Sequence, residues 1–312
     1  MLYRIFDILI DSNIPLPELP EVTIGTARIS FQLSGQRPYK GSFDWQHHWR
    51  FSDGTICISV VRIGKGYCLR FPGLADFYTK DAEADIVCQP CDDIPDETIR
   101  HLLLDQVIPR LLAHEGNTIL HTSAVAIDGR AIAFAGETGM GKSTLAASLH
   151  ARGYPVLSDD SLLLLQQDHA IAGIPGYGGI RLYEDSAKAL IKTSLRQAKM
   201  AHYSSKQRIM LDQGSALEIR PIPVDKVFIL GTPGPGNKTR IKITPITGAD
   251  ALMQLMQHTF ALDITDMDEV VRKFTTIGLI ARSNLDINLL EYPRDIDRLP
   301  ELHEKLLGIQ KN

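Results

Sequence analysis

Gly136-Glu137-Thr138-Gly139-Met140-Gly141-Lys142-Ser143 fits the spacing G-x-x-x-x-G-K-[ST] at every fixed position. Ahead of it, the apolar run Arg130–Ala135 reads as a buried strand, and Ser143–Arg152 reads as a helix closed by Gly153 in the left-handed cap position. A glycine-rich loop between strand and helix is a phosphate cradle. Its backbone N–H groups wrap an anion, and the helix start adds partial positive charge. Lys142 is placed to reach β/γ-phosphate oxygens and Ser143 to ligate Mg²⁺, with Thr144 extending the nucleotide-binding set. The expected ligand is ATP or GTP with Mg²⁺.

One helix and the short apolar segment Tyr154–Leu157 separate this loop from the acidic pair Asp159-Asp160. Ligands of open α/β sheets collect at the carboxyl ends of strands, where this segment would deliver both acids. One carboxylate there suits Mg²⁺ and its neighbour suits proton transfer from an attacking hydroxyl. The bland alternative is a helix-capping or turn Asp pair in a loop.

Strand arithmetic brings in a histidine. Thr118–Ile127 alternates like a strand, Asp128-Gly129 is a two-residue hairpin signal, and Arg130–Ala135 returns. A two-residue turn sets Ile127 against Arg130 and therefore His121 against Gly136, at the mouth of the loop. An imidazole there suits acid–base work beside an Asp, although one slipped residue would turn it to the other face.

The stretch LHTSAVAIDGRAIAFAGETGMGKSTLAASLHARGYPVLSDD, Leu120 to Asp160, resembles the catalytic core of the HPr kinase/phosphorylase family. That family shares a strand His before the loop, a GxxGxGKS loop, a helix ending in Arg-Gly, and an Asp-Asp pair. The resemblance implies an α/β P-loop kinase domain with a mixed sheet, His121 assisting acid–base chemistry, Asp159 as base toward a serine hydroxyl, and Ser143 with Asp160 serving Mg²⁺. Which Asp takes which role stays open. It also implies self-association, since HPr kinases form oligomers.

The chain departs from the family where a later loop like R-E-M-R-G-L-G carries an acidic metal ligand. Here Ile174-Pro175-Gly176-Tyr177-Gly178-Gly179-Ile180-Arg181-Leu182 stands instead, without the glutamate. This speaks against phosphorylase activity and against HPr as the acceptor. The segment looks more like the divergent relatives that phosphorylate serine on peptide precursors, including lasso-peptide precursors. Arg181, Lys206 and Arg208 are candidate phosphate or substrate contacts, or solvated surface charges. The expected activity is transfer of the γ-phosphoryl group to a serine of a peptide or protein. A small-molecule kinase, a nucleotide-gated binding protein without turnover, and the reverse dephosphorylation remain alternatives.

With 312 residues, 44% of them hydrophobic and 22% charged, the chain has the makings of a substantial core, and two domains are the natural expectation. A net charge of −4 offers no basic field for nucleic acid or anionic membrane. Asp7 interrupts the apolar opening MLYRIFDILI, no small-residue cleavage site follows, and no long apolar run occurs, so a cytoplasmic protein is expected. Cys88-Gln89-Pro90-Cys91 has the spacing of a zinc half-site or redox pair, but without a second C-x-x-C reduced thiols are the simpler reading. His47-His48, beside Trp45 and Trp49, suits strand-face packing or a ligand patch.

Residues 1–95 show short alternating segments and turns, predicting a β-rich domain open to a role in substrate recognition. The kinase domain is expected over 96–312, opening with a helix from Asp96 to about Glu115 that Pro109 kinks. Strands are predicted at Lys226–Leu230 and Arg240–Ile246 around a Gly-Pro-rich loop, and helices at Ala249–Phe260 and Met267–Ile280.

Overall fold

The structure is a computed structural model describing residues 1–36, 38–39, 41–80, 85–167, 170–191, 195, 197–211, 220–232 and 240–308. The predicted loop residues Pro233 to Gly236 fall outside them. The fold is mixed α/β. It divides into two compact units, one of Met1–Asn117, Lys199–Ser204 and Phe260–Lys273, the other of Thr118–Ala198, Ser205–Thr259 and Phe274–Asn312.

The first unit carries an eight-stranded sheet in the order Leu2–Ile5, Ile8–Ser12, Ile29–Leu33, Asp85–Pro90, Ala75–Thr79, Gly66–Phe71, Ile56–Ile63, His47–Arg50. Its helical segment, expected to open the second domain, belongs here instead. Arg100 donates to Glu18 at 2.9 Å, Thr98 Oγ1 lies 2.9 Å from His202 Nδ1, and Arg28 pairs with Glu115. The division therefore falls after Asn117 rather than after residue 95. The single kinked helix is α over Asp96–Leu102, π over Leu103–Val107 and α again over Ile108–His114. Pro109 has no N–H to donate back along the helix, and the wide turn lies just before it.

His47 is buried edge-on to Trp49, while His48 Nδ1 lies 2.8 Å from Ser59 Oγ, so the pair serves opposite strand faces. Cys88 is buried, Cys91 exposed, and both thiols are free. Among the described residues no group of three or more His, Cys, Asp or Glu side chains forms a metal cluster.

The second unit is built on a mixed sheet. Val156–Asp159, Thr122–Ile127 and Arg130–Ala135 run antiparallel to one another in turn. Arg130–Ala135, Ile222–Gly231 and Asp286–Glu291 are neighbouring parallel strands, and Lys242–Pro245 closes the edge antiparallel. The first residues of Ile222–Gly231 also pair with Ala170–Pro175, which leads through Leu162–Gln167 to Thr118–Leu120.

Alternation along the strands sorts two apolar faces. Ile132, Phe134, Phe228, Leu230 and Leu290 pack under Leu145 and Leu149 of helix Lys142–His150 and Leu302 and Leu306 of helix Leu299–Gly308. Ala131, Ala133, Ala135, Val227, Ile229 and Ile287 face Leu255 of helix Gly248–Gln257 and Ile277 and Ile280 of helix Met267–Ala281. Phe134 and Phe228 stack with ring centroids 6.0 Å apart, both fully buried. Truncating either to Ala would cost about 3–5 kcal/mol.

The predicted hairpin register is the one observed, Ile127 opposite Arg130 and Thr122 opposite Ala135. Asp128 and Gly129 both have positive φ, 50° and 76°, as the tight turn requires. The single strand expected over Thr118–Ile127, however, is two strands broken at His121. His121 N–H donates to the His258 carbonyl at 2.6 Å, and Leu120 bridges Thr259. The chain changes partners at that residue. No helix among the described residues is long and apolar enough to cross a membrane.

Candidate functional site

The parallel strand Arg130–Ala135 runs straight into the glycine loop, and helix Lys142–His150 leaves it. Gly136, Gly139 and Gly141 have φ of 150°, 83° and 94°, and the last two lie in the left-handed region that favours glycine. A Cβ on Gly136 would stand 3.2 Å from Leu230 Cβ, and one on Gly141 would stand 2.8 Å from the Tyr292 hydroxyl. Glu137, Thr138 and Gly139 are exposed at the tip, Met140 is half-buried, and Ser143 and Thr144 sit half-buried in the first helical turn.

Lys142 turns back across the loop. Its ammonium donates to the carbonyls of Gly136 at 2.8 Å and Glu137 at 3.2 Å, and the residue is 8% exposed. Burial lowers its pKa against the opposing pull of Asp160 and Asp159, and Lys206 and Arg181 add to the lowering. Loop lysine, acidic pair and two further cations therefore share one electrostatic neighbourhood.

The two adjacent acids differ sharply. Asp159 is buried: Oδ1 accepts from Ser123 Oγ at 2.5 Å, and Oδ2 accepts from Arg181 N at 2.9 Å and Nε at 3.2 Å. Its carbonyl accepts from Arg181 Nη2 at 2.8 Å. Asp160 is more open. Its Oδ2 accepts from Arg181 Nη1 at 2.7 Å and its Oδ1 lies 3.1 Å from His121 Nε2. Burial would raise the Asp160 pKa, but the Arg181 guanidinium and then His121 hold it well below the ordinary carboxylate range. Asp160 also carries φ of +100°, an uncommon conformation outside glycine, with its N–H donating to the Thr122 carbonyl at 3.0 Å.

Arg181 sits on Ile180–Tyr183, which pairs with Lys206–Ile209 so that Arg181 faces Arg208 and Tyr183 faces Lys206. This register puts all four side chains on one face of the ribbon. Lys206 Nζ lies 5.1 Å from the Tyr183 ring centre and the Arg208 guanidinium 5.4 Å from that of Tyr177. Of the three predicted cations, Arg181 is tied to both acids, Lys206 acts on Lys142 through space, and Arg208 is buried against an aromatic ring.

Four further residues have no local sequence signal. Ser123 is opposite Asp159 because Thr122–Ile127 and Val156–Asp159 pair. His258, at the end of helix Gly248–Gln257, has its pKa pushed down to about 4 by burial and then by the charges of Lys142 and His121. Tyr292, buried beneath Gly141, has its phenol pushed up to about 12 by burial. Arg294 donates to the Gly139 carbonyl at 3.3 Å, to Met140 Sδ, and to Thr232 Oγ1 at 3.4 Å. Tyr292 and Arg294 follow a strand, Asp286–Glu291, that the sequence reading did not single out.

No family model matches the chain, and no curated protein matches it in sequence. Among solved structures, it is similar to the Hpr(Ser) kinase/phosphatase from Coxiella burnetii at 16% identity and a TM-score of 0.34, over 62% of this chain and 90% of that one. That overlap is loose, and the site stands on its own geometry.

Proposed function

We propose that this chain is an HPr-kinase-like phosphotransferase that moves the γ-phosphoryl group of ATP or GTP to a serine hydroxyl of a peptide or protein. The observation that carries this reading is the meeting of the glycine loop and Lys142 with the Asp160–His121 and Asp160–Arg181 contacts at one end of the sheet.

The residues present fit a polyphosphate. A buried ammonium held by backbone carbonyls, at the start of a helix and after a glycine loop, is a site for an anion. Mg²⁺, when bound, would neutralise charge on the phosphate oxygens. Ser143, in the first helical turn, would hold it together with those oxygens, since Mg²⁺ takes few protein ligands.

Asp160 is the better candidate for the acceptor hydroxyl. The Asp159 carboxylate takes three donors, one from Ser123 and two from Arg181, where Asp160 has one contact to Arg181 and one to His121, and the Asp159 side chain is 2% exposed against 17% for Asp160. In this reading Asp160, with His121 behind it, aligns the serine O–H and takes its proton as the O–P bond forms. The bond from the γ-phosphorus to the bridging oxygen breaks in the same step, leaving the nucleoside diphosphate. A loose phosphoryl-transfer transition state asks more for alignment than for a strong base, so a carboxylate of low pKa suffices. Asp159 then holds Arg181, and Arg181 offsets charge on both acids and on the group in transit. The β-rich first unit is assigned to acceptor recognition in the same proposal.

The test is transfer of label from γ-labelled ATP with Mg²⁺ to HPr and to serine-ended precursor peptides, with Lys142→Ala and Asp160→Asn as controls. Label on serine that disappears in both variants supports the reading and identifies the acceptor class. Nucleotide binding with no labelled acceptor removes the peptide-kinase reading in favour of a small-molecule kinase or a nucleotide-gated binder.

A further inference from the structure

Three neighbouring parallel strands, Arg130–Ala135, Ile222–Gly231 and Asp286–Glu291, end at the same edge of the sheet. Ligands of such sheets lie outside the carboxyl ends of the strands. The first strand delivers the glycine loop there. The second delivers Thr232 and the third delivers Tyr292 and Arg294.

Arg294 is exposed at the tip of the loop, yet its guanidinium is already aimed. One arm donates to the Gly139 carbonyl, and the other reaches Met140 Sδ and Thr232 Oγ1. All three acceptors are neutral, and among the described residues no carboxylate pairs with this cation. A guanidinium carries five N–H donors in a planar fork that matches phosphate oxygens. Its neutral partners leave the full positive charge beside a loop built for an anion. A lysine at this place would keep the charge but lack the planar fork.

We propose that Arg294 is a nucleotide-contacting residue that grips the polyphosphate from outside the glycine loop, on the side opposite the acidic pair's chemistry. This rests on the nucleotide reading above. Lys142 would serve the phosphates from within the loop and Arg294 from its rim. Such a contact would be made in the ground state and in the transition state alike, so its loss would raise KM and leave kcat near its wild-type value.

The experiment is calorimetric binding of ATP, ADP and AMP to wild type, Arg294→Lys, Arg294→Gln and Lys142→Ala, at low and moderate salt, with melting of each unliganded protein in parallel. The expected result is a loss of about tenfold or more for ATP and ADP in Arg294→Gln, a smaller loss for AMP, partial recovery in Arg294→Lys, and unchanged melting. The salt dependence of ATP binding should also weaken. Equal affinities in wild type and Arg294→Gln overturn the inference. So does a uniform loss for all three nucleotides with a lowered melting temperature, which marks a purely structural clamp. A wild-type protein that binds no nucleotide overturns the nucleotide reading, and this inference with it.

Discussion

His121 Nε2 lies 3.1 Å from Oδ1 of Asp160, and both residues stand where the backbone departs from regular strand. His121 interrupts two strands that pair with different partners, and Asp160 follows Val156–Asp159 with φ of +100°. Backbone held in such a sparsely populated region costs on the order of 1–3 kcal/mol and persists where its surroundings over-determine it. Here Thr122, Arg181 and His121 do so. Asp160→Asn keeps a residue that tolerates this conformation. Its expected phenotype is normal nucleotide affinity, a loss of stability smaller than that of Asp159→Asn, and a transfer rate reduced about 10²–10⁴-fold. Single-turnover transfer beside calorimetric binding checks this, and wild-type transfer in the variant would remove Asp160 from the chemistry.

Asp159→Asn should behave differently although the two acids are neighbours. The Asp159 carboxylate accepts from Ser123 on one oxygen and from two Arg181 N–H groups on the other. An amide NH₂ must face one of those donors, and it carries no charge to offset the buried guanidinium. A loss of about 3 kcal/mol is expected, with phosphoryl transfer falling because Arg181 is misplaced. Denaturant unfolding of the two Asn variants side by side separates the roles. Equal stability of both would sink the division of labour between the acids.

The sequence carried the parts of this site that depend on local chemistry. Glycine spacing specified the loop, Asp-Gly specified a turn with two left-handed residues, and the turn specified the register as far as Thr122 opposite Ala135. What it left out depends on which distant strands pair. Ser123 meets Asp159 through a strand pairing, and His258 meets His121 through a carbonyl at the end of a helix. Tyr292 and Arg294 reach the loop because Asp286–Glu291 lies parallel to Ile222–Gly231. None of these has a spacing that repeats along the chain. The break at His121 was equally invisible, because both halves of Thr118–Ile127 have strand-like alternation.

Gly141 gives a test of the loop that does not depend on the acceptor. Its φ of 94° disfavours any side chain, and a Cβ would stand 2.8 Å from the Tyr292 hydroxyl. Gly141→Ala should therefore lose stability by about 1–3 kcal/mol and lose nucleotide binding. Tyr292→Phe removes the clashing oxygen and leaves the backbone strain. Partial recovery of melting temperature in the double variant is expected, with nucleotide affinity still low. Full recovery of both would mean that the loop does not need the left-handed conformation at this residue.

A buried histidine and a half-buried one make the fold sensitive to mild acid. His258 and His303 are both pushed down to about 4, each chiefly by burial, then by Lys142 and His121 for the first and by Arg152 for the second. Their unfolded value is 6.5, so between pH 6.5 and about 4 the unfolded chain binds protons that the folded chain does not. Stability is thus present in full above 6.5 and is lost as pH falls toward 4, by at most about 1.4 kcal/mol per pH unit for each histidine. Burial lowers the His47 pKa too, which adds in the same direction. Asp160 is depressed below 3.8, so its own contribution is lost only below that value, outside a comparison of pH 7 with pH 5. Urea midpoints at these two pH values should fall for wild type and fall less for His258→Gln/His303→Gln, in which the glutamine at 303 can keep the contact with Ser148 Oγ. An unchanged drop in the double variant would assign the acid sensitivity to other groups.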